Sequence, residues 1–378
     1  MKIAMLGHKR IPSREGGVEI VVENLATSMA RLGHRVTVYN RRGYHVAGID
    51  NGNDFTDKEF MYKGVRIISI PTFPQKALNA IVYSALASIR AVWKKFDVIH
   101  FHAEGPCALI WLPKLFGVKT VATIHGLDWK RAKWGKFASL FLKFGEKCAA
   151  KYADEIIVLS KNMQEYFRQT YARETVYIPN GVQICENRKA DIIKEKYELE
   201  KDSYFLFLAR VVPEKGLHYL LDAFEQLDTD KKLVIAGGCS HSEEYFSQIQ
   251  DRAEKMDNVI MTGFVQGREL EELFSNCVCY ILPSDVEGMP ISLLEAMSYG
   301  CRCIVSDIPE NTEVVKDYAL TFKKSDAGDL KEKMEELLKD YSNSAIWSSD
   351  KIKKYIRHEY SWDDVAKETL KVYESIIG

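Results

Sequence analysis

From Lys2 onward, short apolar runs alternate with amphipathic helical stretches along the whole chain, and that alternation admits few architectures. Strand, helix and strand in succession build a parallel sheet with helices packed on its faces. Strand-like runs fall at Lys2–Leu6, Val36–Tyr39, Val65–Ile70, Val98–Phe101, Thr120–Ile124, Glu155–Leu159 and Val176–Ile178. A second series occupies Tyr204–Leu208, Leu233–Ala236, Val259–Thr262, Val278–Leu282 and Cys303–Val305. Single cores stop growing near ~250–300 residues, so 378 residues divide into two α/β domains. The turn chemistry of Pro179-Asn180-Gly181 sets the boundary, giving domains 1–180 and 181–360. A last helix, 361–378, starts at Ser361 with Asp364 three residues on, and carries Trp362, Val365, Ala366, Leu370, Tyr373 and Ile377 along one face.

A net charge of -1 conceals an asymmetry: residues 1–180 hold 27 Lys+Arg and 15 Asp+Glu, or +12, and the remainder 25 and 38, or -13. The basic half is suited to an anionic partner, a membrane surface or a phosphorylated acceptor, unless the two halves simply attract each other. Eight cysteines in a chain of this length make no disulfide scaffold, and Cys277/Cys279 and Cys301/Cys303 alternate along apolar runs, as reduced core thiols do. The N-terminal residues are too short an apolar stretch for a signal peptide and no run reaches membrane-spanning length, so the expected location is the cytosol or the inner face of the plasma membrane.

Four segments carry chemistry. Glu287 and Glu295 flank the turn and helix start that follow the apolar run Val278–Leu282, with Pro290 at the helix entry. That arrangement suits a hydroxyl-rich ligand bearing phosphate, a nucleotide-sugar. Arg210 and Lys215 stand five apart after another strand, where fixed cations would neutralise a pyrophosphate in place of a divalent metal. Gly16-Gly17 precedes a helix after the first strand; alone it is a turn, and it does not complete a dinucleotide fingerprint. His125 closes the strand Thr120–Ile124, with Asp128 three residues on as an orienting group or an ordinary turn residue; a lone histidine there is more often structural. His100 and His102 lack a carboxylate at metal-ligand spacing, and Asp228-Thr229-Asp230 reads as a surface turn, so no metal or other cofactor is expected.

Together these segments resemble the retaining two-domain (GT-B) glycosyltransferases of the family-4 type. The resemblance implies two Rossmann-like parallel-sheet domains facing a central cleft, acceptor on the N-terminal side and nucleotide-sugar on the C-terminal side, with the last helix packing back on the first domain. It implies that Gly16 and Gly17 lie against the donor diphosphate, that His125 contacts the transferring sugar, that Glu287 binds a sugar hydroxyl, and that Glu295 binds the ribose. Gly288, Met289 and Ile291 would offer amides to the diphosphate beside Arg210 and Lys215, and Glu19 is a candidate for binding or orienting the acceptor. Transfer with retention then needs no enzymic nucleophile, the leaving phosphate taking the acceptor proton. The segment Gly7–Glu19 also resembles capsule and exopolysaccharide rhamnosyltransferases, which suggests a rhamnosyl donor and a lipid-linked saccharide acceptor. A sugar-nucleotide epimerase of the same fold and a non-catalytic nucleotide-sugar-binding scaffold are the alternatives.

Lys130, Arg131, Lys133, Lys136, Lys143 and Lys147 are interleaved with Trp134, Phe137, Phe141 and Phe144 at helical spacing. This stretch either lies on an anionic bilayer or packs its aromatic face into the domain with solvated lysines. No nucleic-acid module accompanies it, and nucleic acid is not an expected partner.

Overall fold

The computed structural model describes residues 1–14, 16–43, 58–73, 76–130, 135–240, 242–339 and 348–378. The chain divides into two compact units: Met1–Gly181 with Trp362–Gly378, and Val182–Ser361.

The first unit holds an eight-stranded sheet: β1 (Lys2–Leu6), β2 (Arg35–Arg42), β3 (Glu59–Tyr62), β4 (Val65–Pro71), β5 (Val98–His102), β6 (Lys119–Ile124), β7 (Glu155–Val158) and β8 (Val176–Tyr177). Their order is β3-β4-β2-β1-β5-β6-β7-β8, with every described pairing parallel except that of β3 with β4. Ile3–Leu6 of β1 form an unbroken apolar run, and in both β1 and β6 every residue after the first is buried, as helix-covered parallel strands require. Within this sheet, β3 is a strand that apolar runs did not reveal: it alternates exposed and half-buried residues at the sheet edge.

The second unit's sheet comprises β9 (Tyr204–Leu208), β10 (Lys232–Ala236), β11 (Val259–Gly263), β12 (Cys279–Leu282), β13 (Cys303–Ser306) and β14 (Leu320–Phe322), ordered β11-β10-β9-β12-β13-β14 and parallel throughout. Both orders reverse direction once, between β1 and β5 in the first sheet and between β9 and β12 in the second. A crevice opens at the carboxyl ends of the strands at such a reversal, because the flanking loops depart in opposite directions.

The last helix, Trp362–Ile377, belongs to the first unit and buries Trp362, Val365, Ala366, Leu370 and Tyr373; Ile377, at the chain end, is exposed. It packs on the helix Gly17–Arg31. A Cβ on Gly181 would stand 2.6 Å from Trp362 Cδ2, so a side chain at Gly181 would push this helix away.

Candidate active site

In the first unit the reversal brings together Gly7, after β1, and His102, at the end of β5. Gly7 has φ +118°, and a Cβ there would lie 2.1 Å from the His102 carbonyl oxygen, so only glycine lets the two strand ends approach. The Gly7 N–H donates to the Tyr83 hydroxyl (3.1 Å), which in turn donates to the Tyr39 carbonyl. Burial pushes the Tyr83 phenol up to about 12, keeping it a donor.

A row of imidazoles follows. His125, after β6, is nearly buried, and its Nε2 faces His102 Nδ1 at 3.0 Å. His100 bonds the hydroxyls of Tyr373 (2.6 Å) and Thr123 (2.7 Å), and His8 bonds Asn40 Oδ1 (2.9 Å). Burial depresses His8 to about 4 and His100 to about 3; burial and the neighbouring imidazoles hold His102 well below its ordinary value. These three are therefore neutral at pH 7. The sequence offered His102 only as a metal ligand and gave it no role, because its partner His125 is 23 residues away, just past the adjacent strand; the spacing His-x-His at a strand end was the available signal.

The remaining first-unit candidates lie at a helix start and a turn. Gly16 caps the helix Gly17–Arg31, but the Glu19 carboxylate already covers this end: a Cβ on Gly16 would be 2.1 Å from Glu19 Oε2, and Glu19 Oε1 accepts the Lys9 N–H at 2.8 Å. Glu19 thus binds the preceding loop and lies against Gly16. Asp128 opens a short 3-10 turn, Asp128–Lys130, with its N–H donating to the Gly126 carbonyl at 3.0 Å. That turn is anchored by the buried Glu146, which accepts from Trp129 Nε1 (3.0 Å) and from the hydroxyls of Tyr166 (2.7 Å) and Tyr171 (2.6 Å).

Arg131 and Lys133 lie outside the described residues. In the helix Lys136–Tyr152, Lys136, Lys143 and Lys147 are exposed, and so are Phe137 and Phe144; the buried face is Leu142, Gly145, Glu146, Cys148 and Ala149. The aromatic face expected to be shared by Phe137, Phe141 and Phe144 is therefore not a core face, since only Phe141 is half-buried. Lys143 and Lys130 stand 4.0 and 5.5 Å from the Trp129 ring centroid.

In the second unit the reversal brings the loop after β9 to the loop after β12. The Asp285 N–H donates to the Glu214 carbonyl (2.9 Å), and a Cβ on Gly216 (φ +66°) would lie 1.9 Å from the Pro283 carbonyl oxygen. These contacts position Lys215 so that its ammonium donates to the Glu287 carboxylate, which also accepts from the Ser284 hydroxyl at 2.6 Å. Both members of the pair are largely buried. Arg210 is half-buried on the β9 side, with Nη1 3.4 Å from the Ser240 hydroxyl. The helix Ile291–Ser298 begins just after Gly288 and Met289, and its first amides have no intrahelical acceptor. Glu295 lies one turn in, half-buried. Asp228-Thr229-Asp230 forms a turn before β10, with Thr229 Oγ1 accepting the Lys231 N–H at 3.2 Å.

The sequence matches two family descriptions in succession: Glycosyltransferase Family 4 over residues 15–184 and Glycosyl transferases group 1 over residues 189–358. The chain is a two-domain (GT-B) glycosyltransferase. An uncharacterized glycosyltransferase of Methanocaldococcus jannaschii is 26% identical to it over 99% of this chain and 98% of its own length. The UDP-Gal:alpha-D-GlcNAc-diphosphoundecaprenol alpha-1,3-galactosyltransferase of Escherichia coli is 26% identical over 68% of this chain and 70% of its own. Sucrose-phosphate synthase from Thermosynechococcus elongatus shares the fold of this glycosyltransferase, with a TM-score of 0.84 at 20% identity over 100% of this chain and 99% of that one.

Proposed function

We propose that this glycosyltransferase moves a hexosyl group from a nucleotide-sugar to a lipid-linked saccharide acceptor, with retention of anomeric configuration, during surface-polysaccharide assembly. The observation that carries the reading is the Lys215–Glu287 pair at the reversal of the second sheet, with Arg210 in the same loop after β9. Departure of a nucleoside diphosphate builds negative charge on a bridging oxygen, and two cations fixed at a strand end stabilise charge that grows in the transition state. An ammonium carries three donor protons, so Lys215 serves the phosphate as well as holding the Glu287 carboxylate in place for a sugar hydroxyl. Glu295 takes the ribose, and the amides around Gly288, Met289 and Ile291 take the diphosphate. His125, held by the neutral His102, contacts the transferring sugar, and Asp128 orients the acceptor.

The acceptor proton passes to the leaving phosphate on the face where the new glycosidic bond forms, so no enzymic nucleophile takes part. The lipid-linked acceptor is supported by the diphosphoundecaprenol substrate named for the Escherichia coli relative and by the basic first unit, at work on the inner face of the plasma membrane. A rhamnosyl group is the first donor to test, on the likeness of Gly7–Glu19 to rhamnosyltransferases.

Incubation with a panel of labelled nucleotide-sugars tests the reading. Transfer to a lipid-linked saccharide, or slow donor hydrolysis without acceptor, is expected, and is expected to persist with chelator present. An altered sugar on an intact nucleotide would make the protein an epimerase, and binding with no turnover a scaffold.

A further inference from the structure

Three helices of the first unit expose large apolar side chains. Ile89 and Trp93 protrude from the helix Lys76–Trp93, Leu115 and Phe116 from the end of the helix Trp111–Leu115, and Phe137 and Phe144 from the helix Lys136–Tyr152; Trp93 and Phe137 are each 81% exposed. The Trp111–Leu115 helix packs against both of the others. The charges on these helices have one sign. Lys76–Trp93 and Trp111–Leu115 contain no Asp or Glu, and the single acid of Lys136–Tyr152, Glu146, is fully buried on its three donors. Around the apolar groups stand the exposed Arg90, Lys94, Lys114, Lys136, Lys143 and Lys147.

We infer that these three helices together form a docking face for an anionic bilayer, with the apolar side chains entering the acyl boundary and the basic ones meeting lipid phosphate. Exposed apolar groups alone would suit many partners, but three helices whose described exposed charges are all cations, with one of them, Lys114, paired to Asp154 outside the helices, are complementary to an anionic plane. The face has no membrane-crossing role, since no helix among the described residues is long and apolar enough for that. The inference rests on the lipid-linked acceptor proposed above and names the surface that brings the enzyme to it. It also widens the contact from the one lysine-bearing helix to two further helices of the first unit.

Flotation of the full chain with vesicles of phosphatidylglycerol and phosphatidylcholine, against phosphatidylcholine alone, tests it. The wild type is expected to float with the anionic vesicles only. Trp93→Ser, Leu115→Ser and Phe116→Ser combined are expected to weaken vesicle affinity about tenfold or more, because each removes apolar surface that the acyl boundary would bury. The melting temperature and donor turnover should be unchanged, since the replaced side chains are exposed. Equal flotation of variant and wild type overturns the inference, as does a wild type that ignores vesicles. A dimer that the same substitutions dissociate would show the occupant to be a second copy. Donor turnover without flotation removes the docking face and keeps the transferase reading; flotation without turnover does the reverse.

Discussion

Lys215 and Glu287 form a pair to which the proposed mechanism gives two duties each, and substitution separates them. Replacing Lys215 with Ala would take the proposed cation from the leaving phosphate and leave a largely buried carboxylate with Ser284 as its remaining donor among the described residues. We expect kcat to fall by about 10²–10³, as for loss of an oxyanion-type stabiliser. Steady-state kinetics check this, and a loss confined to KM would show that Lys215 binds without stabilising the transition state. Glu295→Ala is expected to cost nucleoside diphosphate binding roughly 1.5–3 kcal/mol, the range for a hydrogen bond to a charged group. Calorimetric titration giving unchanged affinity would remove Glu295 from the ribose. The short range of these interactions explains how far they were legible: the sequence places each residue at a strand end, but the bond between Lys215 and Glu287 spans 72 residues and depends on β9 and β12 being neighbours.

At the scale of elements, the helix Lys136–Tyr152 faces two ways. On its inner side Gly145 crosses the helix Glu104–Cys107 so closely that a Cβ would stand 2.0 Å from the Glu104 carbonyl oxygen. Helix propensity alone would make Gly145→Ala stabilising by up to ~1 kcal/mol, but the neighbour is backbone and cannot swing aside. The net expectation is a destabilisation of about 1–3 kcal/mol, measured as a lowered urea midpoint with unchanged slope. On its outer side Lys136, Lys143 and Lys147 are exposed. Their replacement by Gln should reduce anionic-vesicle binding at low salt and flatten its salt dependence, as the Debye length shortens from ~10 Å at 0.1 M to ~3 Å at 1 M. Nucleotide affinity, measured in parallel, should hold. Periodicity identified this helix, but Phe137 and Phe144 are apolar whether they meet a core or a bilayer, and only packing separates the cases.

For the whole molecule, the buried histidines set a dependence of stability on pH. His8 and His100 have folded pKa values of about 4 and about 3, below the ordinary 6.5, so between these limits the unfolded chain binds more protons than the folded one. Stability therefore rises with pH: the contribution is complete above about 6.5 and is lost as pH falls toward 4 and then 3. At ~1.4 kcal/mol per unit, acidification from pH 6.5 to 5 should remove about 2 kcal/mol for each histidine. Thermal midpoints across that interval check the slope, and a flat profile would mean that these imidazoles are protonated in the folded protein. The same row joins strands β1, β5 and β6 to Tyr373 of the last helix, whose hydroxyl meets His100 across 273 residues.

The sequence by itself determined the alternation of strands and helices, the two parallel sheets and the segments at the strand ends, because burial on both faces writes a continuous apolar run that is read locally. It missed β3 and β14, which are short and lie at sheet edges where one flank has no strand to enforce such a run. Tertiary structure alone decided which strand ends meet, and with them the pairing of His102 with His125 and of Lys215 with Glu287. It also bonded Glu19 to the Lys9 amide of the loop before its helix and turned Phe137 and Phe144 outward. These outcomes depend on strand order and on close backbone approach at Gly7 and Gly216, which bring distant residues within bonding range while leaving no periodic trace in the chain.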